Sequence, residues 1–200
     1  MNYKEELNKI IKNLDGKPSL LLHSCCAPCS SYVLEYLREF FKITVLYYNP
    51  NIEPKEEYLK RKEEQIKLIK DVYKDVSFLD CDYDNDVYET TIKGLETEKE
   101  GGSRCYKCYK LRIEKTAILA KKNYDFFGTT LTVSPHKNAK FINEIGLELE
   151  KKYNTKFLIS DFKKNEGYKR SIVLSREYNL YRQDYCGCKY SRRDLKNGNN

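Results

Sequence analysis

Five short apolar runs punctuate the chain, and stretches of helical period fill the intervals between them. Ser19-Leu20-Leu21-Leu22-His23 follows the turn Asp15-Gly16-Lys17-Pro18 and reads as a buried strand. Ile43 to Tyr48, Val76 to Leu79, Tyr124 to Phe127 and Phe157 to Ser160 read as four more. Met1 to Leu14 reads as an amphipathic helix. Pro28 suits the first turn of a second helix, in which Val33, Leu34, Leu37, Phe40 and Phe41 recur at helical spacing. Helical period returns over Glu56 to Tyr73, Asp86 to Leu95, Cys108 to Lys122, Lys137 to Tyr153 and Glu166 to Tyr178. Glu100-Gly101-Gly102-Ser103 predicts a flexible loop, and Lys196 to Asn200 a disordered tail. Apolar strands alternating with helices predict an α/β protein with a doubly wound, mostly parallel five-stranded sheet. One domain is expected over residues 1–195, with 196–200 as the tail. In such sheets ligands collect beyond the carboxyl ends of the strands.

Composition sharpens this picture at one point, the cysteines. A chain of 200 residues buries roughly 70% of its unfolded surface and needs no covalent staples. Eight cysteines therefore require another explanation. The start of the chain reads as a helix and not as an export signal. No apolar run approaches the roughly 20 residues that span a bilayer. The expected setting is the cytoplasm, where thiols stay reduced and clustered cysteines point to metal or redox chemistry. The net charge of +7 is compatible with a polyanionic partner. Eighteen tyrosines stand beside no tryptophan, and tyrosines near a basic site can stack on unpaired bases.

Seven cysteines fall in three groups: His23-Ser24-Cys25-Cys26-Ala27-Pro28-Cys29, Cys105-Tyr106-Lys107-Cys108 and Cys186-Gly187-Cys188. The first lies at a strand-to-helix turn, where backbone N–H groups favour thiolates, the metal-binding form. A shared role for the adjacent pair Cys25-Cys26 requires an irregular turn. The second group has a spacing common to zinc and iron–sulfur sites, and Cys108 is expected to open a helix. In the third, Gly187 lets the backbone bend around a metal or a second sulfur. Seven sulfurs suit a 4Fe-4S cluster held by four thiolates, plus a second function for the rest. A four-cysteine zinc site would leave three unexplained. Two competing readings are a non-catalytic zinc-binding nucleic-acid module and a thiol–disulfide or sulfur-transfer enzyme. Cys81 stands alone between two aspartates and reads as a small buried hydrophobe. His23 is either a donor or base beside the metal or a satisfied structural histidine. His136 reads as a surface loop residue.

Several motifs, in order, resemble the QueH-type epoxyqueuosine reductases over nearly the full length. They are His23 to Cys29, Tyr48-Asn49-Pro50-Asn51-Ile52, Arg104 to Arg112, Thr129 to Lys137, and Leu180 to Cys188. The resemblance implies an oxidoreductase that reduces the epoxide of epoxyqueuosine at the tRNA wobble position to queuosine. It also implies a fold of the adenine-nucleotide α-hydrolase (PP-loop) class. The Ser-Gly-Gly-x-Asp-Ser nucleotide loop of that class is replaced here by His23 to Cys29, so no ATP requirement is expected. Carried over by motif, Cys25, Cys26, Cys105 and Cys108 are implied cluster ligands. Cys186 and Cys188 are an implied redox disulfide or ligands of a second metal, an iron or a zinc. Cys29 replaces an Asp of some relatives and is a candidate ligand of that second metal. Cys81 matches no motif. An acid near Cys186 would polarise the epoxide oxygen, be it a metal, a protonated thiol or a tyrosine. The chain has no flavin or nicotinamide fingerprint, so electrons are expected from a ferredoxin or flavodoxin. Tyr106, Lys107, Tyr109, Arg112, Lys189, Tyr190, Arg192 and Arg193 flank the sulfurs and are expected to meet the tRNA anticodon loop.

Overall fold

The computed structural model describes residues 1–164 and 166–191. Among them run α1 (Tyr3–Lys12), β1 (Ser19–His23), α2 (Ala27–Leu37), β2 (Lys42–Tyr47), α3 (Lys55–Asp71), β3 (Ser77–Asp80) and α4 (Asn85–Thr91). α5 (Ser103–Ala120), β4 (Phe126–Thr129), a 3-10 turn at Thr130–Val133, α6 (Ala139–Tyr153), β5 (Lys156–Phe157) and α7 (Gly167–Glu177) follow. The strands form one parallel sheet in the order β3-β2-β1-β4-β5. The expected doubly wound α/β fold is therefore present.

β1 has apolar side chains on both faces because both faces are covered. Leu20 and Leu22 pack with Leu34, Leu37 and Leu68 from α2 and α3. Leu21 packs with Ile113, Ala117 and Ile145 from α5 and α6. The strand order reverses between β1 and β4, which opens a crevice at their carboxyl ends. The loops after these two strands carry Cys25 and Lys137.

Most element ends shift by one or two residues from the sequence reading, and four of the differences have a local cause. α5 begins at Ser103, not Cys108, because Gly102 is its extended cap, so Cys105 and Cys108 both lie within the helix. α4 stops at Thr91, and positive-φ Gly94 lies in the turns that follow. β4 starts two residues late, because Tyr124 N–H still bonds Ala120 O of the preceding helix end. The last apolar run pairs only at Lys156 and Phe157. Further on, the Asn143 side chain bonds both Ser160 N–H (3.0 Å) and Ser160 O (2.9 Å), taking the place of strand partners. The Lys196 to Asn200 tail lies outside the described residues, as do Arg192 and Arg193. No helix among the described residues is long and apolar enough to cross a membrane.

Candidate metal centre

The chain leaves β1 through a braced turn. His23 is fully buried. Its Nε2 lies 3.1 Å from Tyr48 O, an acceptor, so Nε2 carries the proton. Nδ1 then accepts from the Thr129 hydroxyl at 2.9 Å. Burial, and next the Arg112 charge, hold the His23 pKa down to about 3. His23 is thus a neutral tie between β1, β4 and the segment after β2, which is the structural one of its two expected roles. Ser24 N–H bonds Leu46 O (2.9 Å), and Asn49 Nδ2 donates to Ser24 O (2.8 Å). The hydroxyls of Ser24 and Ser30 both donate to Gln65 Oε1 (2.7 and 2.8 Å).

That bracing leaves Cys26 extended (φ −174°, ψ 158°) as the cap of α2, with no side-chain hydrogen bond to the helix. The α6 cap, Asn138, instead bonds two backbone N–H groups. The extended cap is the irregular turn that an adjacent cysteine pair needs. Cys25 Sγ lies 3.8 Å from Cys26 Sγ, and the sulfurs of Cys25, Cys26 and Cys29 all lie within 4.8 Å of one another. Among the described residues, no other set of three His, Cys, Asp or Glu ligand atoms converges this closely. Hydrogen bonds from the Cys26 and Cys29 thiols hold Cys25 well below its ordinary range. The same bonds push Cys26 up to about 12, and Cys29 well above its usual value. The three sulfurs therefore share their protons, with Cys25 the acceptor of the other two thiols.

The other four motif cysteines are gathered by tertiary contacts. Cys105 lies in the first turn of α5 and accepts from Gly101 N–H at 3.2 Å. Cys108 and Cys188 share a small buried cluster with Tyr88, Ile92 and Tyr190. Burial pushes the Cys108 thiol up to about 12 and raises Cys105 and Cys188 as well. The Cys186-Gly187-Cys188 segment is held by Arg61, which is 2% exposed. Its Nη1 donates to Cys186 O (3.2 Å) and its Nε to Glu57 (2.7 Å), while its guanidinium lies 4.9 Å from the Tyr185 ring centre. Glu53 N–H donates to Gly187 O at 2.9 Å, and the Tyr185 hydroxyl donates to Glu53 O at 3.1 Å. Gly187 has φ +116°, and a Cβ there would lie 2.9 Å from Ile52 Cγ1 and 3.0 Å from Arg61 Nη1. Only glycine fits such a position without strain.

A cavity of about 300 Å³ joins the two groups. Cys25 and Cys29 line one part of it, Cys186 another, and Lys137, Arg61 and Arg182 add positive charge. Burial disfavours the Lys137 ammonium, but the sulfurs of Cys186, Cys25 and Cys29 more than offset this and raise its pKa. All eight cysteines are free thiols.

The sequence candidates separate accordingly. Cys25, Cys29 and Cys186 border one cavity, Cys26 adjoins them, and Cys105, Cys108 and Cys188 flank the Cys186 side. Cys81 is partly exposed at the end of β3 and lines a separate surface pocket with Lys62 and Lys115, so it is not a buried hydrophobe. His136 is exposed, as expected, yet it also lines the cavity. Arg112, Tyr109 and Tyr190 are buried, which removes them from the expected tRNA surface. Lys107 and Lys189 remain exposed and Tyr106 partly so. Arg61 and Lys137 were missed as site residues. Arg61 sits in a lysine-rich helix and carries no local signal; Lys137 ends the Thr129 to Lys137 motif, which is its one local signal.

Residues 20–194 match the family model described as epoxyqueuosine reductase QueH. This chain belongs to that family. A protein of that name from Streptococcus pyogenes serotype M1 is 45% identical over 192 residues, covering 94% of this chain and 75% of that protein. Another from Staphylococcus epidermidis is 44% identical over 201 residues, covering 96% and 84%. The family is one of oxidoreductases. Among solved structures, the U34-tRNA thiolase NcsA from Methanococcus maripaludis with its [4Fe-4S] cluster superposes with a TM-score of 0.61. The match covers 98% of this chain and 70% of that one at 14% identity, a likeness of fold.

Proposed function

We propose that this chain reduces the epoxide of epoxyqueuosine at the wobble position of tRNA, giving queuosine. Two C–O bonds break, a C=C bond forms, and the oxygen leaves as water after uptake of two electrons and two protons. The observation that carries the reading is the cavity where Cys25, Cys29, Cys186 and Lys137 meet, in a chain of this family.

The donor set fits a 4Fe-4S cluster. The group needs four thiolates; Cys25, Cys29 and Cys186 line the cavity, the sulfurs of Cys25, Cys26 and Cys29 converge, and Cys105, Cys108 and Cys188 lie on the Cys186 side. Cys25, Cys26, Cys105 and Cys108 would hold the cluster. Cys29, Cys186 and Cys188 would serve as ligands of a second iron or zinc, or Cys186 and Cys188 as a redox pair. When bound, the cluster supplies electrons one at a time. The thiolase of the same fold carries such a cluster, which supports the reading.

The remaining tasks fall to this chain's own side chains. Lys137 Nζ is the cation placed to meet negative charge on the epoxide oxygen and to deliver a proton there. Arg61 fixes the backbone of Cys186, so that its thiol faces the same space. Arg182, Lys107 and Lys189 are exposed cations suited to tRNA phosphates, and Tyr106 and Tyr168 are aromatic faces suited to unstacked bases. Electrons come from a partner of the ferredoxin or flavodoxin class.

The test is turnover. Protein purified without air and supplied with a one-electron reductant should convert epoxyqueuosine in tRNA to queuosine, read by nucleoside mass spectrometry. A fully iron-loaded preparation that leaves the epoxide intact would refute the proposal.

A further inference from the structure

Arg112 was expected at the tRNA surface, but it is 1% exposed. It lies one turn past Cys108 on α5, and its Nε donates to Cys108 O at 3.2 Å. Its Nη1 reaches Asn49 Oδ1 at 3.5 Å, and Asn49 Nδ2 in turn donates to Ser24 O. The guanidinium is thereby strapped between the backbones of two cysteine segments. Among the described residues its Nη2 has no hydrogen-bond partner.

The contrast with Arg61 is informative. Arg61 is equally buried, but Glu57 neutralises it at 2.7 Å. Among the described residues no carboxylate pairs with Arg112. Its Nε is bonded instead to the Cys108 backbone, and burial disfavours its charge while the nearby sulfurs of Cys108, Cys186 and Cys25 favour it. A buried charge without a partner is among the costliest groups a core can hold. The sulfurs around it are neutral as thiols and anionic only as thiolates or metal ligands. A 4Fe-4S cluster with four thiolates carries net negative charge and gains more on reduction. A fixed positive charge beside it favours the reduced form.

We propose that Arg112 is the internal countercharge of the sulfur centre, a positioning residue that holds the anionic assembly in the core and raises the reduction potential of the metal group bound there. The inference rests on the cluster reading above and adds a residue to it.

The experiment compares the anaerobically loaded parent, Arg112→Lys and Arg112→Gln. Iron and sulfide per chain are measured, and the midpoint potential is followed by visible absorbance. Arg112→Gln should shift the reduction equilibrium at least tenfold toward the oxidised form, ~59 mV or more for one electron. Arg112→Lys should recover most of that shift. An unchanged potential in Arg112→Gln overturns the inference, and so does an equal shift in both variants. If Arg112→Gln holds no iron, melting of the metal-free proteins decides. A countercharge role predicts metal-free Arg112→Met at least as stable as the metal-free parent. A lower melting temperature marks a merely structural role and overturns it. A parent that takes up no iron overturns the cluster reading itself; a loaded parent with indifferent variants overturns only this inference.

Discussion

The two sulfur groups are built by opposite means. Cys25, Cys26 and Cys29 come from one turn, and a single extended cap brings their sulfurs together. Cys105 and Cys108 come from α5, and Cys186 and Cys188 from a distant segment that Arg61, Glu53 and Tyr185 hold against the fold. A group made by local backbone tolerates distant mutations. A group made by tertiary contacts is damaged by any brace that fails. The comparison therefore predicts selective damage, and the effects can be ranked.

The cysteines themselves should give the largest effects. Cys25→Ser or Cys26→Ser should lose both the visible absorbance and turnover. Cys186→Ser or Cys188→Ser should lose turnover by about 10³-fold or more while keeping the absorbance, a loss of the size seen when one member of a catalytic group is removed. Full activity in a Cys186 or Cys188 variant would remove that pair from the mechanism.

Lys137 faces both groups. Replacing it with Met should cost about 10²-fold in kcat, with iron content unchanged, if it supplies a proton and charge to the leaving oxygen. An iron-loaded Lys137→Met with parental kcat would show that the oxygen is met by another group.

Gly187→Ala tests the tertiary group alone. The new methyl meets Ile52 and Arg61 at a positive φ, and the expected destabilisation is about 1–3 kcal/mol by denaturant titration. Turnover should fall with it, while the Cys25 trio should react with a thiol probe as in the parent.

Much of this contrast was legible in the sequence, and in unequal parts. The Ser19–His23 strand was read with its observed bounds, because a short apolar run after Asp-Gly-Lys-Pro has few alternatives. The seven motif cysteines were all identified from their spacing. The irregular turn at Cys25-Cys26 was legible too, and the extended Cys26 cap supplies it, but the bracing of the Cys186 segment was not, since it depends on Arg61, which has no sequence signal. The α5 start was misplaced for a related reason. Ser103 and Arg104 follow two glycines and look like loop, yet Arg104 is buried and helical. Arg112 misled most: a basic residue beside cysteines suggests a phosphate contact, and only burial reveals the inward orientation.

The smallest effect should come from the opposite end of the sheet, where neither group reaches. Asp125 Oδ2 accepts from Ser19 N–H (2.8 Å) and Ser19 Oγ (2.7 Å), stapling β1 to β4. These bonds, the hydroxyl's first, hold the Asp125 pKa below the usual carboxylate value. The staple therefore adds stability above the ordinary aspartate pKa, about 3.9, and loses it as pH falls through the lowered folded value. Asp125→Asn should cost about 0.5–1 kcal/mol, because water competes at this exposed site, and should flatten that part of the acid profile. Iron content and turnover should not change. A large loss of iron in this variant would mean that the sulfur groups depend on the whole sheet and not on their own braces.

The central claim is that both sulfur groups serve one iron–sulfur centre. Its most direct test is metal and sulfide analysis of the protein purified without air. The account predicts a brown protein with about four irons and four acid-labile sulfides per chain, the content of one 4Fe-4S cluster, with any second-site metal in addition. A colourless protein carrying stoichiometric zinc and no sulfide would contradict it.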